Sequence, residues 1–147
     1  MTVPLPDSVR DWFWARHSNP KSGWSRVPTG AVIVYAVYQR RWRLLAAALL
    51  WTVINPVLFA PPDTEDAWMT RAVLAERWWL GEQDNGTLGL DHPNVYNTGG
   101  ALASVVALWA AWRRRPGVAT AGTLAMVGLK LQWLRKIVQR YDARDAA

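Results

Sequence analysis

RRWRLLAAALLWTVINPVLFAPP, residues 40–62, opens with three arginines in four positions and then carries no charge for 19 residues, over 44–62. Wound as an α-helix at about 1.5 Å per residue, that uncharged run is roughly 28 Å long, near the thickness of a bilayer's hydrocarbon core. Pro56 removes one backbone donor inside the run, so a kink or an early end is expected close to it.

Three more uncharged runs lie at 27–39, 95–112 and 116–129. The four fall into two pairs, because QRRWR separates the first two and RRRPG the last two; each pair reads as helix, tight basic turn, helix. None carries a clean polar stripe. GGALASVVALWAAW is apolar or small on every side, the pattern of a helix that is deeply buried or surrounded by lipid. A chain of 147 residues has too few polar faces to cover four such helices, which favours lipid as their solvent. The expectation is an all-α, membrane-embedded bundle of four hydrophobic helices in two hairpins, with an interfacial amphipathic helix, forming one domain over 1–147. The runs at 27–39 and 116–129, of 13 and 14 residues, reach spanning length only if Arg26 and Lys130 snorkel toward headgroups.

Charge and aromatic content fit the same picture. The two turns hold Arg40, Arg41, Arg43, Arg113, Arg114 and Arg115 without an acid, while the remaining eleven bases balance eleven acids, so the net +6 sits in the turns. The positive-inside tendency would place those turns at the cytoplasmic face of a multi-pass cell-membrane protein. Eleven tryptophans suit a membrane interface, where an apolar ring and a polar N–H meet different solvents. Pro4, Pro6, Asp7 and Asp11 interrupt the first residues, which therefore read as mature protein rather than a signal peptide.

Between the hairpins, PPDTEDAWMTRAVLAERWWLG has the marks of a separate helix. Asp63 is placed to cap it, Glu65 and Asp66 suit its positive end, and Gly81 can end it. At about 100° per residue Met69, Ala72, Val73 and Leu80 share a face, flanked by Trp68 and Trp79. This helix is expected to lie on the membrane or fold over the bundle. Glu76 falls within its apolar face, where a carboxylate requires a partner, a proton or water. Lys130, Arg135 and Arg77 are the candidate partners.

WFWARHSNPKSGW before the first hairpin and WWLGEQDNGTLGLDHPNVYNTGG before the second each contain a tryptophan pair, His-x-Asn and glycine, suggesting pseudo-repeat halves 12–62 and 78–138. The only histidines, His17 and His92, would then lie on one side and could meet at a haem or metal. Two histidines without thiolates do not complete a zinc site, and His and Asn commonly order loops, so no metal or cofactor is expected. A candidate polar site gathers His17, Asn19, Glu76, His92, Asn94 and Lys130. Cysteine is absent, which excludes disulfides and a thiol nucleophile. There is no phosphate-binding glycine loop, GxSxG elbow or paired-carboxylate motif, and the basic clusters are too scattered for a nucleic-acid stripe.

RHSNPKSGWSRVPTG, NPVLFAPP, AWMTRAVLAERWWL and LKLQWLRKIVQRYD together resemble an uncharacterised family of small prokaryotic integral membrane proteins. The resemblance implies a membrane location and supplies no activity. The chain departs from that pattern at Arg135, where an acid is usual, which removes a carboxylate partner for Lys130 on its own helix. Three function classes stay open. One is a non-enzymatic protein that packs through small residues such as Gly99, Gly100 and Gly122 against a bilayer, a membrane-protein partner or a second copy. Another is a membrane enzyme or cofactor protein built on the polar site, and the third is transport of a small solute or ion through Asn55, Glu76 and Lys130.

Overall fold

A computed structural model describes residues 7–144, so Pro4 and Pro6 lie outside the described residues. Those residues form seven α-helices and no strand: α1 (Asp7–His17), α2 (Pro20–Arg26), α3 (Thr29–Gln39), α4 (Trp42–Leu58), α5 (Trp68–Gly81), α6 (Asn94–Trp112) and α7 (Pro116–Ala143). The 28-residue α7, about 42 Å long, is the axis of the molecule. Helix α6 packs along it, α5 lies on its C-terminal half, and α3 touches both α6 and α7. Helix α4 pairs with α3, and α1 and α2 brace α4 against α5.

Both expected hairpins form, and their turns share one geometry. Arg40 adopts the left-handed conformation (φ 57°) and donates its N–H to the Val37 carbonyl, while the Arg41 N–H reaches back to Ala36. Arg114 (φ 55°) and Arg115 repeat the pattern onto Ala111 and Ala110. These paired backward bonds satisfy carbonyls left open at a helix end, in a conformation usually given to glycine. The Arg40 guanidinium also lies 4.0 Å from the Trp112 ring and donates a 2.6 Å hydrogen bond to the Trp112 carbonyl. One side chain thereby ties the first turn to the second.

No helix among the described residues is long and apolar enough to cross a membrane. This overturns the expected transmembrane helices and the multi-pass membrane location. The run at 27–39 yields only the 11-residue α3, about 16 Å long. The run at 44–62 stops at Leu58, because Phe59 is extended ahead of Pro61 and Pro62. Helix α6 spends its first turns on Asn94, Tyr96, Asn97 and Thr98, and α7 carries Lys130, Arg135, Lys136 and Arg140 through its second half.

Of the two places expected for the central helix, on a membrane surface or folded over the bundle, it takes the second. Met69, Ala72, Ala75 and Trp79 of α5 are buried against Trp133, Leu134, Ile137 and Val138 of α7, forming the bulkier of two cores. Asp63 does not cap it, since α5 begins at Trp68 after a largely exposed loop. The other core, near the arginine turns, consists of Val34, Ala107, Ala110, Ala111 and Ala119.

Pro56 lies in the last turn of α4, and the neighbouring helices satisfy the polar groups around it. The Arg16 Nε donates to the Val57 carbonyl at 2.8 Å, and the Asn19 amide donates to the Ala60 carbonyl at 2.8 Å. Asn55, fully buried, accepts from the Ser22 hydroxyl at 2.7 Å and donates to the Ser25 hydroxyl at 2.8 Å. Its amide joins α2 to α4 and is occupied by structural bonds.

Candidate functional site

Asn19 starts α2: its side-chain oxygen accepts the Lys21 N–H at 2.9 Å, and Pro20 follows in the first helical turn. The bend at Ser18 and Asn19 folds α2 back so that Arg26, at its end, meets His17, at the end of α1. The Arg26 Nη1 lies 2.9 Å from His17 Nε2 and 3.2 Å from Nδ1. His17 is 5% exposed and packed against Phe13 and Trp14. Burial above all, then the positive charges of Arg26 and Lys130, lowers its pKa from 6.5 to about 4. The ring is therefore neutral at pH 7 and accepts a hydrogen bond from the guanidinium. Burial likewise holds Arg26 below the usual arginine range, and Glu76 opposes that shift.

Glu76, on the buried side of α5, meets Lys130 of α7 with Oε1 to Nζ at 3.5 Å. The ammonium also sits 4.2 Å from the centre of the Trp133 ring. The Trp133 indole N–H donates to Asn94 at 3.2 Å, so Asn94 holds in place the ring beneath Lys130. Arg77 pairs instead with Asp11, and Arg135 is exposed.

His17, Arg26, Glu76 and Lys130 line one cavity of about 300 Å³ between α2, α3, α5 and α7. Its remaining walls are largely apolar, including Val27, Ile33, Val73, Met126 and Leu131. Two glycines allow the sulfur side chains to lie flat against backbone. A Cβ on Gly23 would collide with Met69 Cγ, and one on Gly30 would come within 2.7 Å of Met126 Cε. A second cavity of about 320 Å³, between α3 and the start of α7, is lined by residues such as Tyr35, Tyr38 and Thr123 and has no charged side chain.

Of the six residues expected at a polar site, the structure thus brings together His17, Glu76 and Lys130. Asn19 acts one step away, as the cap that positions α2, and Asn94 acts through Trp133. His92 stands apart: it is exposed, stacks edge-on with Tyr96 and faces Arg140 at 3.3 Å, so the two histidines do not share the cavity. Arg26, the cation expected to snorkel at the start of an apolar run, joins His17, Glu76 and Lys130 at the cavity wall. Its signal was a lone cation directly preceding an uncharged stretch, four residues after the Asn-Pro-Lys-Ser helix start.

No curated protein and no solved structure matches the chain. Residues 9–141, which include the whole cavity, match the model of one family, and by that match the chain belongs to the family of unknown function DUF6653.

Proposed function

We propose that this chain is a binding protein for a small, mainly apolar molecule held between α2, α3, α5 and α7. The observation that carries the reading is the cavity of about 300 Å³, whose mostly aliphatic and thioether lining has charged groups gathered on one part of its wall. Ligand sites commonly have this make-up: an apolar volume of some hundreds of cubic ångströms with a few convergent polar groups that fix orientation. The charged groups are mutually engaged, with Arg26 on His17 and Glu76 on Lys130, which suits recognition more than proton transfer.

Thermal unfolding of the full chain with linear 1-alkanols of increasing length tests this reading. A molecule that binds only the folded state stabilises it by RT ln(1 + L/Kd), L being its free concentration, so at a fixed concentration the transition temperature rises further for a tighter ligand. Stabilisation should grow with chain length up to a cut-off set by the cavity, and Ile33→Trp, which fills it, should abolish the effect while the protein stays folded by circular dichroism. Ile33 does not line the second cavity, so that variant separates the two. Stabilisation unchanged in Ile33→Trp, or absent at every length in the parent protein, would refute the assignment.

A further inference from the structure

We infer that the molecule held in this cavity is a monoanion with an apolar body, best matched by a medium-chain carboxylate whose head group lies between Arg26 and Lys130. The inference rests on the cavity being a binding site and adds the chemistry of its occupant.

Charge balance at the wall leads to this conclusion. Arg26 and Lys130 contribute two positive charges and Glu76 one negative charge, while His17 is neutral at pH 7. One positive charge is left over. Among the described residues no carboxylate lies within ion-pairing distance of Arg26, whose near partner is the uncharged His17 ring. A guanidinium has five N–H donors in a planar fork, and one imidazole leaves most of them unused. A neutral guest would displace water from that guanidinium and offer in its place at most uncharged acceptors, which compensate less well for a charge losing its solvent. A single carboxylate restores neutrality and can accept two parallel hydrogen bonds from the guanidinium. A dianion would overshoot and would meet Glu76 with its second charge. An alkylammonium would add a third cation to the wall.

Volume limits the body. About 300 Å³ equals the share of roughly ten water molecules in the liquid, room for an unbranched acid of about eight carbons.

The test compares octanoate, 1-octanol and octylammonium by isothermal titration against the parent chain, Arg26→Gln and Glu76→Gln, all full length. In the parent, octanoate should bind at least tenfold more tightly than 1-octanol, and octylammonium more weakly than either. Arg26→Gln should reduce the preference for octanoate over 1-octanol to about onefold. Glu76→Gln, which removes the one negative charge from the wall, should tighten octanoate severalfold, a gain that loss of folding cannot imitate. Equal affinity for octanoate and 1-octanol in the parent, a preference for octylammonium, or no tightening in Glu76→Gln would overturn the anion assignment. If 1-octanol binds with the expected sensitivity to Ile33→Trp but no such preference exists, the anion fails while the cavity reading stands. If neither compound binds, both fall.

Discussion

The two ends of α7 are packed in opposite ways. Near the arginine turns its partners are alanines, and a Cβ on Gly122 would lie 3.0 Å from Ala107 Cβ and 3.1 Å from Ala107 Cα and N, so the α6 and α7 backbones nearly touch. Toward the other end α7 itself brings Trp133, Leu134 and Ile137, which pack on Met69, Ala72, Ala75 and Trp79 of α5, and beside this bulkier core lies the charged cavity. Small side chains bring helices together and leave little room. Large ones hold helices apart, and the space they leave unfilled can receive a guest. The family's matched span includes both ends, but the charged groups of the cavity belong to the second alone.

Four measurements would break or sharpen this contrast. The largest effect is expected from Trp133→Ala, which empties the centre of the bulky core, since Trp133 is fully buried; urea denaturation should show a loss of about 3–5 kcal/mol. A loss below about 1 kcal/mol would mean that this end is loosely packed.

Second, acid should act through the cavity end. His17 has a folded pKa of about 4 against 6.5 unfolded, so below pH 6.5 the unfolded chain takes up a proton that the native protein refuses. Its contribution is fully present above pH 6.5 and is lost as pH falls toward 4, up to about 3 kcal/mol. His17→Gln should flatten that part of the stability profile measured by denaturation at a series of pH values. The alanine core contains no titratable side chain and should be indifferent.

Third, Gly122→Val should force α6 and α7 apart and cost about 1–3 kcal/mol, the range for overpacking, in the same denaturation assay. A neutral result would show that the alanine end yields easily. The smallest effect concerns the turns. Arg114→Gly should stabilise by about 0.5 kcal/mol, because the relief of a left-handed arginine exceeds the added freedom of the unfolded glycine. The same exchange at Arg40 should gain nothing, since it also severs the bond to the Trp112 carbonyl.

Much of this helical organisation was legible in the residues. The arginine clusters marked both turns, the sequence from Trp68 to Gly81 showed its helical face, and the placement of Glu76 among apolar neighbours pointed toward its contact with Lys130. The misreading came from equating an uncharged run with a helix of the same length. Prolines shortened the run at 44–62, polar residues occupied the first turns of α6, and charged residues prolonged α7 beyond its apolar part. The all-round apolar character was real but belongs partly to the surface: Leu50, Val53, Leu102 and Val105 are between 60% and 74% exposed. The meeting of Arg26 with His17 depended on a fold-back between two short helices, a tertiary event that residue spacing alone does not reveal. His92 shared the local pattern of His17 without sharing its surroundings.

Gly23 and Gly30 give the cavity a further property. By leaving bare backbone beneath Met69 and Met126, they hand part of its outline to unbranched thioether chains, each with three rotatable bonds. That part of the chamber's shape is therefore set by thioether rotamers, and a side chain added at either glycine would displace a methionine and redraw it.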